Sequence, residues 1–478
     1  MLVIIMMIAS FLFFLLLFVL IGVSTIFLHK KDTADYLLAG SNVKPWLVAL
    51  SAVATNNSGY MFVGLIGYTY TYGLQAIWTM IGWVMGDFIM SFIVHKKLRI
   101  ATEHQKVLSF NGVLARWGGR NYKILRFVGG LITLVFLSIY AAAQLKAGSK
   151  ALHVLFHWDY SAGALIGAFI VMAYCFSGGL RASIWTDAAQ SFVMIFAMTL
   201  MCIGAVDASG GTWHFLSALN NISPDYMDWF PKDLSFGIVP YVMGWVFAGI
   251  GVIGQPHIMV RFMAMEHAEK MNRVRLYYYS WFTVFYAMAI ITGMAARLLI
   301  PLDPVHSFDA ELALPSLAQQ LLSPALVGLV LAGLFAATMS TADSQIISCT
   351  AAISRDIVRG KLTESYWLTK FSTVAVTLFA LIVALYGPDS VFTLVLVAWS
   401  ALGCAFGPLL LIYVCKGRPN EILSLLMMGG GVGIMLLWRY LGLSGAVYEI
   451  LPGMLGGLLI YGIAHVLNLG LQPVADQT

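Results

Sequence analysis

About thirteen long apolar segments, separated by short polar loops, make up most of this chain. A helix of about 20 apolar residues spans the hydrocarbon core of a bilayer and satisfies its own backbone hydrogen bonds. The pattern therefore predicts an all-α integral membrane protein. The predicted spans, numbered 1 to 13, cover roughly residues 2–28, 46–71, 75–95, 126–154, 161–178, 184–207, 236–258, 276–300, 321–350, 367–387, 390–414, 420–440 and 447–468.

Charged residues are few, and the basic ones are unevenly placed. Only 10% of the 478 residues are charged, against about 25% in a soluble domain. Lysine and arginine concentrate in alternate loops, notably at 96–123, 261–275 and 355–361. An excess of basic residues marks cytoplasmic loops, so we expect the N-terminus outside the cell and the C-terminus in the cytoplasm. The net charge of +5 then faces anionic membrane lipid and does not indicate nucleic-acid binding.

One predicted span carries a polar stripe at membrane depth. Span 9 contains Ala337-Thr-Met-Ser-Thr-Ala-Asp-Ser344. Steps of three and four residues return to one side of a helix, and the residues on that side are Ala337, Ser340, Thr341, Asp343 and Ser344. Polar groups in hydrocarbon are costly and are candidates for function. Hard cations bind oxygen ligands, as Mg²⁺ and Ca²⁺ do, so the stripe indicates a transporter coupled to a cation such as Na⁺.

Two predicted spans are interrupted. Span 2 contains the polar stretch Ala54-Thr-Asn-Asn-Ser-Gly59, and span 7 contains several glycines followed by Gln255-Pro256. Glycine weakens a helix and proline removes a backbone donor, and a bilayer tolerates broken backbone only where protein or a water-filled cavity satisfies it. Interrupted helices in corresponding positions of two halves mark transporter sites. The spacing of five spans suggests repeats at spans 2–6 and 7–11.

Four motifs in these regions resemble those of the sodium/solute symporter family, and they look most like its proline-transporting members. They are Ala54-Thr-Asn-Asn-Ser-Gly59, Trp185-Thr-Asp187, Gly254-Gln-Pro-His-Ile-Met-Val-Arg-Phe-Met263 and Met339-Ser-Thr341. The resemblance implies a LeuT-type 5+5 inverted repeat and inward solute transport driven by Na⁺. We expect residues 1–478 to form one transmembrane transporter domain, with repeats at 46–207 and 236–414 and peripheral helices at 1–28 and 420–468.

The resemblance also implies a main sodium site. Its ligands are the backbone carbonyls of Ala54, Asn57 and Ala337 and the hydroxyls of Ser340 and Thr341. The residues themselves agree, because an unwound span 2 frees carbonyls opposite the hydroxyl pair of span 9. The alternative is that both hydroxyls only bond back to carbonyls of their own helix.

Asp187 resembles a carboxylate that the family keeps near the cytoplasmic end of span 6. In some relatives it helps to bind a second sodium, with hydroxyls at the positions of Asp343 and Ser344. Here Asp343 adds a second carboxylate. The pair could hold a second Na⁺, or one carboxylate could be protonated or serve in gating, since like charges raise a pKa. A third alternative is a structural, hydrogen-bonded acid.

The resemblance places the solute between the two helix breaks. The matching positions and their neighbours are Asn56, Ser58, Gly59, Tyr140, Gln144, Trp245, Ala248, Val252, Gln255 and Pro256. A half-helix N-terminus is a suitable partner for a solute carboxylate. Tyr140 could equally be a packing residue, and His257, next to Pro256, is expected to be an ordinary helix-end histidine.

Three positions depart from the proline-transporting members. Asn56 stands where they have an aspartate that matters for sodium, and Ala248 and Val252 stand where they have aromatic residues. The smaller side chains suggest a larger or differently shaped solute. Lys146 and Asp87 are further unexpected charges. They could pair with each other, the lysine could reach the outer interface along its stem, or it could attract an anionic solute.

We therefore expect a secondary active transporter of the bacterial inner membrane, which carries a small organic solute, such as the amino acid proline, with Na⁺ by alternating access. The alternatives are Na⁺- or H⁺-coupled uptake of another organic acid or a sugar, and a non-transporting membrane sensor. The chain has no zinc-protease motif, P-loop or nucleophile elbow. We expect no enzyme activity, no transition metal and no cofactor besides the coupling ion.

Overall fold

The computed structural model describes residues 2–25, 32–301, 308–358 and 365–472, and over these ranges the chain is almost entirely helical. Residues 26–28 of predicted span 1 and the basic residues at 359–361 lie outside the described residues. The α-helices are α1 Leu2–Ser24, α2 Thr33–Leu38, α3 Pro45–Gly59, α4 Ile66–Tyr72, α5 Ile77–Met90, α6 Lys96–Gln105, α7 Phe110–Arg116, α8 Lys123–Phe156, α9 Tyr160–Ala208, α10 Gly211–Leu219, α11 Ile238–Ile250, α12 Pro256–Met263, α13 Met271–Leu299, α14 Ala313–Leu321, α15 Pro324–Ala351, α16 Tyr366–Tyr386, α17 Val391–Val414, α18 Glu421–Tyr440 and α19 Ile450–Val466.

Every predicted span corresponds to helix in the described residues. Nine helical segments there are long and apolar enough to cross a membrane, and the bent pair Ile238–Gly254 and Pro256–Met263 makes ten. One of the nine, Pro45–Gln105, contains predicted spans 2 and 3. The shorter apolar helices Tyr160–Ala173 and Ile450–Val466 correspond to spans 5 and 13, so the prediction of an all-helical membrane bundle is confirmed.

Both predicted interruptions are present. In the first, Ser58 has φ +48° and ψ −178°, a left-handed φ that an L-residue adopts only under strain. A π-helical turn, Tyr60–Leu65, follows it and leads into α4. In the second, α11 tightens into a 3₁₀ turn at Gly251–Gly254, and α12 starts at Pro256 with a bend of 55°. Proline has no N–H to donate to the preceding turn, which is why the helix restarts there.

The helix with the polar stripe, α15, lies at the centre of the bundle. Nearly all of its side chains from residue 327 to 351 are buried, and it packs against α1, α3, α8 and α9. Its hydroxyls and carboxylate therefore face protein and not lipid.

Two glycines bring α5 and α11 into backbone contact. A Cβ on Gly86 would lie 2.1 Å from the carbonyl oxygen of Val246, and one on Gly249 would lie 2.0 Å from that of Trp83. No side chain fits at either position, so the two helices pack at the closest approach that polypeptide allows. This contact holds the first half of the broken helix α11–α12 against α5.

The short helices α2, α6, α7, α10 and α14 were not predicted. They lie in the segments between predicted spans, and each has ten or fewer residues. A search for apolar segments of membrane length does not detect helices this short.

Candidate functional site

Five buried oxygen atoms meet where α15 crosses the break in α3. The Ser340 hydroxyl lies 3.1 Å from the carbonyl oxygen of Ala337 and 3.3 Å from that of Ala54. The Thr341 hydroxyl lies 3.0 Å from the carbonyl oxygen of Thr55 and 3.2 Å from that of Ala337. All five residues are fully buried. We call these three carbonyls and two hydroxyls the oxygen cluster.

The break in α3 explains why its carbonyls are available. In a regular helix the amide of Gly59 would donate to the carbonyl of Thr55. Here that amide donates instead to the side-chain oxygen of Gln144, at 2.8 Å. The freed Thr55 carbonyl accepts from Thr341. Both hydroxyls thus bond back within α15 and also reach across to α3, so the back-bonding alternative describes only part of their contacts.

Asn57, predicted as a sodium ligand, makes different contacts. Its carbonyl accepts from the backbone amide of Tyr60, and its side chain donates to the carbonyl of Val53, at 2.8 Å. In this structure the carbonyl of Thr55, which the sequence analysis did not select, contacts the hydroxyl pair. The other four predicted ligands come together in the oxygen cluster.

A buried network of charges adjoins the oxygen cluster. We call it the carboxylate network, and its members are Ser51, Ser183, Asp187, Arg261, Asp343 and Ser344. The Arg261 guanidinium lies 3.4 Å from an Asp187 oxygen and donates to Ser183, at 2.9 Å, and to Ser344. Ser183 and Ser344 each donate to one oxygen of Asp343, at 3.1 Å and 2.9 Å. One guanidinium therefore bridges two carboxylates within the bundle.

Arg261 is a residue that the sequence analysis misplaced. It was counted among the cytoplasmic loop charges, but it lies in α12 and is fully buried. A further bond, from the guanidinium to the carbonyl of His257 at 2.6 Å, anchors it within α12. Two carboxylates in apolar spans require a cationic partner, which indicates that a buried cation exists but not which residue supplies it.

The two sites are joined through Ser344. Its hydroxyl oxygen lies 2.5 Å from the carbonyl oxygen of Ser340 and 3.1 Å from the hydroxyl of Thr55. Within the described residues, one oxygen of Asp187 and one of Asp343 have no hydrogen-bond partner. Two carboxylates and one guanidinium leave one negative charge, so the network has capacity for a proton or a second cation.

The predicted solute residues at the first break lie together. Gly59 is packed so closely that a Cβ there would lie 2.7 Å from Thr338 and 2.8 Å from Ala147. Tyr140 is buried, and its ring meets the ring of His257 edge-on, with centroids 5.4 Å apart. Gln144 connects to this group through its bond to the Gly59 amide.

The residues of the second break are tied to α17 by Trp399. Its indole nitrogen donates to the carbonyl of Ala248, at 2.9 Å, and its own carbonyl accepts from the side chain of Gln255, at 2.9 Å. The amide of Gln255 donates to the carbonyl of Val252, at 3.0 Å. The sequence analysis did not select Trp399, because an apolar span gives no indication of which tryptophan faces a break.

Several polar groups around both breaks are buried without a partner. In the described part of the chain these are the side-chain oxygens of Asn56 and Gln255, the side-chain nitrogen of Gln144 and both ring nitrogens of His257. Buried polar groups are almost always satisfied by protein, water or a ligand. His257 is thus not the satisfied helix-end histidine that was expected, and all four side chains are candidates to contact a solute.

Comparison with known proteins identifies the family. The sequence profile of the sodium:solute symporter family matches residues 36–431. The chain belongs to this family. The symporter is 31% identical to the sodium/proline symporter of Escherichia coli (strain K12), covering 93% of this chain and 89% of that one. It is 29% identical to the high-affinity proline transporter PutP of Bacillus subtilis (strain 168), covering 94% and 97%.

A solved structure of a Na⁺-coupled symporter has the same fold. A Na⁺-coupled sialic acid symporter in a substrate-bound outward-open state, described as having a novel Na⁺ site, superposes with a TM-score of 0.83. The identity is 16%, and the match covers 98% of this chain and 99% of the other. Together with the family match, this confirms the predicted LeuT-type architecture and identifies the chain as a sodium-coupled solute symporter of the membrane.

Trp245 of the symporter lies apart from the central group, in a cavity of about 200 Å³. It stacks on Tyr448, with centroids 5.2 Å apart. Tyr68, which lines the same cavity, stacks on Phe392, with centroids 4.9 Å apart. These aromatic side chains bring α4, α11 and α17 together on the side of the bundle away from the basic loop 96–123.

Lys146 and Asp87 do not pair with each other. The Lys146 ammonium donates to the carbonyl of Gly387, at 2.9 Å, and to Asp389, at 3.0 Å, beside a cavity of about 300 Å³. This geometry fits a lysine that reaches the interface, and attraction of an anionic solute by Lys146 stays a prediction. Asp389 is fully exposed, and its bond to Lys146 lowers the pKa of its carboxyl.

Glu311 joins three elements at the same end of the symporter. Its carboxylate accepts from the backbone amides of Val391, at 3.1 Å, and Phe392, at 3.0 Å, the first two residues of α17. It also receives the ammonium of Lys150 from α8, at 2.7 Å. A carboxylate at a helix N-terminus is favoured by the helix dipole, so Glu311 stabilises the start of α17, where Phe392 stacks on Tyr60 and Tyr68.

We expect Glu311→Ala to loosen the start of α17. Hydrogen exchange at the amides of Val391 and Phe392 should speed up by about tenfold or more, because both lose their acceptor. Glu421→Ala is the matched control, since Glu421 accepts from the amides of Ile124 and Leu125 at the start of α8. It should speed exchange there and leave α17 unchanged. Equal exchange at α17 in wild type and Glu311→Ala would contradict this role.

Proposed function

We propose that this symporter takes up proline, or an amino acid of similar size, into a bacterial cell together with Na⁺ by alternating access. The observation that carries the proposal is the oxygen cluster at the break of α3, whose five members are all oxygen ligands of the kind that a hard cation binds. The proline-transporting relatives at about 30% identity support an amino acid as the solute.

Na⁺ is proposed to bind at the oxygen cluster. Its ligands would be the carbonyls of Ala54, Thr55 and Ala337 and the hydroxyls of Ser340 and Thr341, each hydroxyl turning its proton away from the ion. Asn57 remains a proposed ligand by resemblance. An ion here holds the unwound turn of α3 in place and so completes the solute site. By linkage, Na⁺ and solute then raise each other's affinity by the same factor.

The solute is proposed to lie between the two breaks. Asn56, Gln144, Gln255 and His257 supply unpartnered polar atoms there, and Tyr140 with the turn at Gly251–Gly254 supplies the walls. Ser58, Gly59 and Pro256 set the backbone shape. The small side chains of Ala248 and Val252 favour a second candidate solute, a bulkier amino acid or another organic acid or sugar.

A second cation or a proton is proposed for the carboxylate network. The unpartnered oxygens of Asp187 and Asp343 support either one, and the bonds from Arg261 support the structural alternative as well. With a second Na⁺ the transport stoichiometry is two ions per solute, and with a proton the rate depends on both gradients.

The orientation is proposed from the basic loops. The segments 96–123, 264–270 and 414–421 meet at one end, where Arg99 bonds the carbonyl of Met265 and Lys97 that of Val414. This end would be cytoplasmic, with the N-terminus outside and the C-terminus inside. Apolar side chains exposed on the flanks of the bundle, such as Phe13, Phe169 and Phe196, would contact lipid.

Uptake into proteoliposomes tests the proposal. Purified protein is reconstituted, and radiolabelled L-proline uptake is followed with an inward Na⁺ gradient, with K⁺ in place of Na⁺, and with the Na⁺ gradient collapsed by an ionophore. We expect accumulation only with the Na⁺ gradient. Competition by other amino acids, organic acids and sugars ranks the solutes. No Na⁺-dependent uptake of any of them would contradict transport and favour the sensor alternative.

A further inference from the structure

Asp87 is a carboxylate buried in α5, and it is bonded to two tyrosines. Tyr278 donates to one of its oxygens, at 2.8 Å, and Tyr279 to the other, at 2.9 Å. All three side chains are buried, and within the described ranges Asp87 forms no salt bridge. A hydroxyl donor on each oxygen is an arrangement that stabilises the ionised carboxylate.

The same tyrosine connects Asp87 to the broken helix. The side-chain nitrogen of Asn56 lies 2.5 Å from the hydroxyl oxygen of Tyr278. Tyr278 donates to Asp87, so the single proton of its hydroxyl is committed there and its oxygen must accept from a neighbour. Asn56 therefore turns its NH₂ group toward Tyr278.

This donor order determines which end of the Asn56 amide is left for a ligand. The amide oxygen faces away from Tyr278, and it is buried without a hydrogen-bond partner among the described residues. An isolated asparagine could present either its NH₂ or its oxygen. Here the carboxylate of Asp87, acting through Tyr278, leaves the oxygen as an acceptor beside the unwound turn of α3.

We propose that Asp87 and Tyr278 are positioning residues that make Asn56 a specific acceptor for the amine of the solute. This inference deepens the proposed function and rests on it. A solute with an N–H₂⁺ or N–H₃⁺ group satisfies the Asn56 oxygen, whereas an analogue without the amine leaves it buried and unpaired. A site built to hydrogen-bond a donor rejects the analogue that lacks it far more strongly than an apolar pocket rejects a smaller one.

The test compares two adjacent tyrosines. Tyr278→Phe removes the link to Asn56, whereas Tyr279→Phe removes an equivalent bond to Asp87 and leaves the link intact. Inhibition of labelled L-proline uptake into proteoliposomes is measured with unlabelled L-proline and with cyclopentanecarboxylate, which keeps the ring and the carboxylate but has no amine. We expect wild type to prefer proline by about 100-fold or more.

Tyr278→Phe should lower this preference by about tenfold or more, mainly by raising the KM for proline. The maximal rate and the Na⁺ concentration for half-maximal uptake at saturating proline should stay near wild type. The melting temperature should fall no further than in Tyr279→Phe, because each variant removes one hydroxyl donor from Asp87. Tyr279→Phe should change the preference by less than about twofold. Asn56→Asp in the Tyr278→Phe background should restore the preference, because a carboxylate presents an acceptor in either orientation.

Three results would overturn the inference. They are equal inhibition of wild type by proline and the amine-free analogue, the same loss of preference in both tyrosine variants, and a Tyr278→Phe effect confined to melting temperature. In each case Na⁺-driven uptake by wild type leaves the proposed function standing. If wild type takes up no amino acid in a Na⁺ gradient, the proposed function fails and this inference fails with it.

Discussion

Replacing either Ser340 or Thr341 with alanine should raise the Na⁺ concentration for half-maximal uptake by about tenfold or more. Each hydroxyl reaches from α15 to a carbonyl of α3 and is a proposed Na⁺ ligand. The loss of a contact between a polar group and a charge costs about 1.5–3 kcal/mol. The double variant should lose Na⁺ dependence in the accessible concentration range. The measurement is proteoliposome uptake as a function of Na⁺ at saturating solute.

Ser348→Ala is the matched control for these variants. Ser348 lies two turns further along α15 and donates to the carbonyl of Ser344, at 2.9 Å, but it is outside the oxygen cluster. Its Na⁺ dependence should equal that of wild type. Unchanged Na⁺ activation in both Ser340→Ala and Thr341→Ala would show that Na⁺ does not bind at the oxygen cluster.

Arg261→Met should destabilise the symporter severely. It leaves two carboxylates buried without a cation, and breaking a buried ion pair by removing one partner costs about 3–5 kcal/mol. The melting temperature in detergent should fall by about 5 °C or more, and transport should be lost. Arg261→Lys should recover little, because the guanidinium reaches its acceptors through three separate nitrogens, which the single nitrogen of an ammonium cannot replace.

The control for this prediction is Arg273→Met, which removes an exposed arginine twelve residues further along and should leave the melting temperature near wild type. Asp187→Asn in the Arg261→Met background should recover part of the lost stability, because it removes one of the stranded charges. A melting temperature of Arg261→Met equal to that of Arg273→Met would show that the carboxylate network is not held together by charge.

The sequence was most informative about features with a strong local cause. Spans of about 20 apolar residues, the polar stretch at 54–59 and the proline at 256 each have one structural consequence, and the helices and both breaks follow. The hydroxyl stripe on α15 was also visible, since steps of three and four residues from Ala337 to Ser340 and Thr341, and on to Ser344, return to one side of a helix.

Features that depend on contacts between distant segments were not predictable. Arg261 looked like a loop charge, because only the fold brings its helix beside Asp187 and Asp343. The sequence predicted the carbonyl of Asn57 as a ligand and not that of Thr55. Which carbonyl is freed depends on the acceptor of the Gly59 amide, and that acceptor, Gln144, is 85 residues away in sequence. The hydrogen-bond partners of Asp87 were not predicted for the same reason, since Tyr278 and Tyr279 lie on another helix.

Density at the crossing of α3 and α15 tests the central claim most directly. Cryo-electron microscopy maps of the purified symporter are compared in sodium chloride and in N-methylglucamine chloride. We predict, in sodium only, a peak about 2.4 Å from the hydroxyl oxygens of Ser340 and Thr341 and from the carbonyl oxygen of Ala54. Identical maps in the two salts, with the hydroxyl oxygens of Ser340 and Thr341 still within hydrogen-bond distance of the carbonyls of Ala54 and Thr55, would contradict Na⁺ binding at the oxygen cluster.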